Sequence, residues 1–166
     1  MPSRRPSKAQ AGAHAARASR RRPHGSAPVT APTPPNESLE EAVCAAVFAY
    51  QLRQPLANAP LPLRYYVARQ GRDPSGALLS RLQRLAPGVQ PFTRCRVSGR
   101  DGVVDRVTGA RGVILQVARL TWRHATAVEV IGGYYLTHRQ AASFRYDLAS
   151  HDRRWAVTAA HLLWRV

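Results

Sequence analysis

Residues 126–136 read Thr126-Ala-Val-Glu-Val-Ile-Gly-Gly-Tyr-Tyr-Leu136, and this stretch decides the fold class. Val128, Val130, Gly132 and Tyr134 share one parity, while Glu129, Ile131 and Tyr135 share the other. A period of two marks a strand, because successive side chains point to opposite faces of a sheet. The same period continues on both sides. Upstream, Val113, Leu115, Val117 and Leu120 start a strand whose Val117–Leu120 step breaks strict alternation and predicts a bulge. Downstream, Phe144, Tyr146 and Leu148 give a third strand, and Trp155 to Val166 a fourth. In that last strand Trp155 and Val157 share one parity and Leu162, Trp164 and Val166 the other, so a second bulge is expected near Ala159–Ala160. The links Thr137-His-Arg-Gln140 and Ser150-His-Asp-Arg153 have hairpin length. From Gly112 onward the chain therefore predicts a four-stranded antiparallel meander.

Ahead of the meander the period is helical. Ser38-Leu-Glu-Glu41 has the spacing of a capping box. Leu39, Val43, Ala46, Val47 and Tyr50 then recur at helical intervals, with Cys44 and Phe48 widening the stripe. Pro55 ends this helix. Leu63 to Arg69 alternates and reads as a strand. Asp73-Pro74 sets an N-cap before a proline suited to a first helical turn. Leu78, Leu79, Leu82 and Leu85 make that second helix amphipathic, and Pro87-Gly88 stops it. Arg94 to Val97 forms a short strand. The expected architecture is an α+β domain over residues 37–166, with two N-terminal helices packed on one face of a curved antiparallel sheet.

The 166 residues suit one ordinary domain, and 45% apolar content is enough for a core. Basic side chains outnumber acidic ones 25 to 9, for a formal charge of +16. Residues 1–36 carry seven of those basic groups and no acid, and their only apolar side chains larger than Ala or Pro are Met1 and Val29. Such a segment is expected to be a disordered basic Ala/Pro/Arg-rich tail. Its charge favours anionic surfaces, so nucleic acid is one partner class for it. Of the 25 basic residues 24 are Arg, and Ala and Pro are also heavily used, which GC-rich codon usage produces whatever the function. The tail has no apolar core of a secretory signal, and Pro2, Pro6 and Pro23 oppose the amphipathic helix of a transit peptide. Nowhere is there the run of ~20 apolar residues that spans a membrane. A cytoplasmic location is the expectation.

The stretch Val104-Asp-Arg-Val-Thr-Gly-Ala-Arg-Gly-Val-Ile114, then Trp122, Val128-Glu-Val-Ile-Gly-Gly-Tyr-Tyr135, Arg154-Trp-Ala-Val157 and Trp164 resembles a family of uncharacterised bacterial proteins. The resemblance covers roughly residues 40–166 and implies no activity. Relatives carry a glycine-rich turn after the paired tyrosines, where this chain has Leu136-Thr-His-Arg-Gln140. The element order is also similar to the cone-shaped fold of nuclear transport factor two-like proteins, in which a curved sheet wraps a helix and leaves a ligand-sized hollow. That fold hosts enzymes, carriers and inert partners alike.

Glu129 is the only acid in its strand, and on a concave sheet face it would suit a general base with a raised pKa. The competing reading is an ion pair with Arg145 or Arg123. Tyr65-Tyr66 and Tyr134-Tyr135 each place one phenol on each sheet face, and Tyr65, Tyr135, Glu129 and His161 form the candidate ligand-binding set. Trp122, Trp155 and Trp164 read as core fillers. Gly132-Gly133 reads as a bend in the strand rather than an approach to a ligand.

His124, His138, His151 and His161 lack metal-site spacing, Asp101 and Asp105 flank a Gly-Val-Val turn without the ligand density of a calcium loop, and no metal or cofactor is expected. Arg94 and Arg96 beside Cys95 could lower its thiol pKa, but a free structural cysteine is the preferred reading, and a Cys44–Cys95 bridge is possible but unforced. The leading functional expectation is a non-enzymatic domain binding a small ligand or a protein. The alternatives are a cone-fold enzyme using Glu129, and electrostatic binding of nucleic acid through the tail.

Overall fold

The computed structural model describes residues 37–54, 64–99 and 101–166, apart from the side chains of residues 37 and 38. The basic tail, Pro55, Leu63 and the Ser38 side chain of the capping box lie outside the described residues. The elements run α1 (Glu37–Arg53), β1 (Arg64–Arg69), α2 (Gly76–Leu85), β2 (Val89–Pro91), β3 (Cys95–Ser98), β4 (Gly102–Asp105), β5 (Arg111–His124), β6 (Ala127–Thr137), β7 (Gln140–His151) and β8 (Arg154–Arg165), with a short 3₁₀ turn Phe92–Arg94 before β3.

All eight strands join one open, mostly antiparallel sheet of order β2-β1-β5-β6-β7-β8, with β4 also paired to β5 and β3 to β4. The meander of β5 to β8 is as the alternation predicts. The sheet is nevertheless mixed, because β1 runs parallel to both β2 and β5. A parallel neighbour needs a crossover, and α2 supplies it between β1 and β2. Alternation inside one strand carries no record of which strand lies beside it.

The bulges lie where side-chain parity slips. The β5–β6 register shifts between Val117 and Arg119, leaving Ala118 as the extra residue. In β8 the pairing shifts twice, around Thr158 and around Leu163, rather than once at Ala159–Ala160. The β7–β8 turn is Asp152-Arg153, both at positive φ (49° and 61°). That pair of left-handed residues matches the turn twist a two-residue hairpin requires.

Val43, Val47 and Phe48 of α1 join Leu78 and Leu82 of α2 in the main core, packed on Val67, Val113, Leu115, Val117, Val128, Val130 and Leu148. Alternation puts a smaller cluster on the other side of β1 and β5: Tyr66, Ala68, Cys95, Val103 and Ile114. Trp122 and Trp155 pack edge to face against each other at 5.5 Å beside the main core. Trp164 is instead 53% exposed, as edge strand β8 has no neighbour beyond it.

Two local expectations change. Ser75, not Asp73, caps α2, its hydroxyl accepting from Leu78 N at 3.1 Å. Asp73 instead accepts from the backbone N–H and the hydroxyl of Thr93 (2.8 and 2.6 Å), fastening the α2 entry to the 3₁₀ turn. The Gly102-Val-Val segment is a fully buried strand, not a turn, and Gly102 itself has φ +74° with Leu136 O where a Cβ would stand.

Candidate functional site

The last turn of α1 lies over the sheet and leaves a hollow of about 460 Å³ beside it. Its walls are Tyr50 and Gln51 of α1, Tyr134 and Leu136 of β6, and Phe144 and Tyr146 of β7, with Arg139 and Arg165 also lining it. The rings are ordered. Tyr50 meets Tyr146 edge-on at 5.8 Å, and Phe144 stacks on Tyr146 at 5.8 Å.

Gln51 is 7% exposed and organises the polar part of this hollow. Its Nε2 donates to Gln116 O (3.4 Å), Gly133 O (3.3 Å) and the Tyr146 phenol oxygen (3.2 Å). Its two protons are shared among these three acceptors, which fixes the amide's orientation. The Oε1 is left buried without a partner. Tyr146 accepts from Gln51, and its own proton has no acceptor among the described residues. Burial pushes the Tyr146 pKa up, with the Gln51 hydrogen bond opposing, so the phenol stays a donor.

The glycine pair of β6 makes this approach feasible. A Cβ at Gly132 would stand 2.4 Å from Gln116 O and 3.5 Å from Gln51 Nε2. One at Gly133 would stand 2.0 Å from Ala142 O. The two bare Cα atoms let neighbouring backbone, and at Gly132 the Gln51 amide, come close. Arg139 and Arg165 are exposed and form no ion pair among the described residues.

The sequence-named candidates do not meet in this hollow. Tyr65 packs beside the main core on the helix side, whereas Tyr135 packs with Phe92 beside the opposite cluster. Glu129 and His161 share the face of Tyr135 but join a charged ladder. Glu129 pairs with Arg123 at 2.7 Å and Arg145 at 3.8 Å; Arg145 also meets Asp147, which holds His161 Nε2 at 2.9 Å. The Glu129 carboxylate is thus occupied by two guanidinium groups. The same side carries a shallower groove of about 250 Å³ along Ile131, Gly133, Tyr135, Ser143 and Trp164.

Asp105 of the Asp105-Arg-Val-Thr-Gly109 motif is 1% exposed. Its Oδ1 accepts from the backbone N–H of Val107 (2.9 Å) and Thr108 (2.8 Å), and its Oδ2 from the Tyr66 hydroxyl (3.0 Å). Arg94 and Arg64 lie at 3.4 and 3.8 Å. The backbone hydrogen bonds, above all from Thr108, outweigh desolvation and hold its carboxyl well below the usual range. Asp105 is thus the anchor of the β4–β5 turn. Burial pushes both thiols up, Cys44 to about 11 and Cys95 to about 11, with nearby arginines only partly offsetting it. They lie in separate clusters and are free.

Among the described residues no group of three or more His, Cys, Asp or Glu side chains gathers as for a metal, and no helix is long and apolar enough to cross a membrane. Comparison with known proteins gives no match: no family model, no curated protein and no solved structure resembles the chain.

Sequence reading singled out tyrosines but missed Gln51. One signal was present. Gln51 continues the i, i+4 row of Val43 and Val47, so an amide was due to fall on the buried side of α1.

Proposed function

We propose that this chain is a small-ligand-binding domain that performs no chemistry, with the hollow between α1 and the meander as its site. On this proposal α1 and α2 rest on the inner face of a curved sheet. The observation that carries it is the aromatic-walled hollow of about 460 Å³ beside the fixed Gln51 amide and the Tyr146 phenol. Ligand sites combine this size and apolar lining with a few fixed polar groups.

The ion pairs of Glu129 favour this reading over a general base on the other face. A thermal-shift screen of aromatic and alicyclic fragments on the full chain tests it, since a ligand that binds only the folded state raises its melting temperature. Ala160→Trp, on the hollow's rim, is the blocked control. Hits that shift the native chain but not the blocked variant support the reading. A screen without such hits ends it.

A further inference from the structure

We propose that β8 is a dimerisation edge, pairing antiparallel with β8 of a second copy of this chain, an inference independent of the small-ligand reading above. The edges of the sheet are unequal. β2 is three residues long and ends in Pro91, and β3 has four residues. Edges that short, or closed by proline, are poor templates for another strand. β8 runs for twelve residues with no neighbour beyond it. Val166 exchanges both backbone hydrogen bonds with Ala141, so the adjacent Arg165 directs its N–H and C=O away from β7.

The side chains along this edge differ as well. Exposed Arg153 and Arg154 and the bulge at Thr158 guard its first half, as charges and bulges do on edges kept single. Beyond Ala160 the edge is apolar. Leu162, Leu163, Trp164 and Val166 are between 50% and 61% exposed, and the extra residue of the second bulge is Leu163 itself. These are four of the eight large exposed apolar side chains among the described residues, and they fall within five positions. Together they show roughly 400 Å² of surface, the size of patch that marks an interaction site and about half of what each partner gives to a standard interface. Backbone pairing and the flanking His161 and Arg165 side chains supply the rest. A second copy suits this edge because antiparallel pairing of identical strands is isologous. A two-fold axis near Leu163 lays each apolar stretch against the other.

Sedimentation equilibrium of the full chain, with hydrogen exchange on the same samples, tests the proposal. A species of twice the chain mass should build up over micromolar concentrations, and the Arg165 amide should gain protection as it does. Pairing between copies of like charge should strengthen with salt, the reverse of binding to an anion. Leu163→Lys, at an exposed position, should weaken the dimer at least about tenfold, because the two-fold axis counts each substitution twice. Arg165→Pro deletes one outward N–H and no bond between β7 and β8, and should weaken it likewise. Val107→Lys, at a 74% exposed position in the β4–β5 turn, should leave it unchanged. Melting curves establish that each variant is folded. A dimer that survives both Leu163→Lys and Arg165→Pro overturns edge pairing, and a monomer throughout the range overturns dimerisation. Protected β8 amides in such a monomer would assign the edge to another segment of this chain.

Discussion

Gln51 and Tyr146 meet across 3.2 Å, the amide donating to the phenol oxygen, so the last turn of α1 is tied to the middle of β7. Replacing Gln51 by Leu removes the tie and leaves the Tyr146 hydroxyl and the Gln116 and Gly133 carbonyls without its donor. Stability should fall by about 1–3 kcal/mol, the cost of leaving buried polar groups without their partner. Chemical denaturation measures it, and a loss below ~1 kcal/mol would mean that the tie contributes little.

Tyr66 and Asp105 bound the pH range of the fold. The depressed Asp105 contributes stability that is complete above its unfolded pKa of about 3.8 and lost as the pH falls toward the folded value. Tyr66 is pushed up by burial first and by Asp105 second, so its contribution is complete below the unfolded value of 10.0 and lost at higher pH. Cys44 and Cys95, pushed up from 9.0 to about 11, and the raised Tyr146 act in the same alkaline direction, so denaturant midpoints should be flat between about pH 4 and 9 and fall outside that range. Tyr66→Phe should shrink the alkaline fall and lower the melting temperature by about 4 °C. An unchanged alkaline limb in that variant would remove Tyr66 from the account.

Gly133→Ala puts a methyl 2.0 Å from Ala142 O, a backbone atom that yields only if β6 and β7 separate. A loss of about 2–3 kcal/mol is expected, the scale of overpacking a closed site. Chemical denaturation measures it. A loss below ~1 kcal/mol would mean the strands part easily there.

Glu129→Gln removes two ion pairs whose arginines are 62% and 40% exposed, and solvent-exposed pairs contribute little. Stability should change by less than ~1 kcal/mol and affinity at the hollow not at all, since Glu129 faces the other side of the sheet. A large loss of affinity would place the site on the charged ladder instead.

Much of this molecule was legible in the residues. The meander showed in the parity of Val128, Val130 and Tyr134, and the second helix in Leu78 and Leu82. Leu85 kept the period yet is 56% exposed, because the helix ends with it. The parallel pairing of β1 with β5 was hidden, since Tyr65 and Val67 alternate the same way whichever strand lies beside them. The site was partly legible. Paired tyrosines pointed to aromatic walls, but which phenol lines a hollow depends on where α1 ends above the sheet. The structural reading of Cys95 holds, for burial outweighs the nearby Arg106.

The most direct measurement is a ¹⁵N-correlated NMR titration of the full chain with the strongest hit of the fragment screen, following the Gln51 side-chain amide. The account predicts a saturating shift of that NH₂ pair together with Tyr134, Phe144 and Tyr146, with Ile131 and Trp164 unmoved. A silent Gln51 amide, or shifts confined to Ile131, Tyr135 and Trp164, would contradict it.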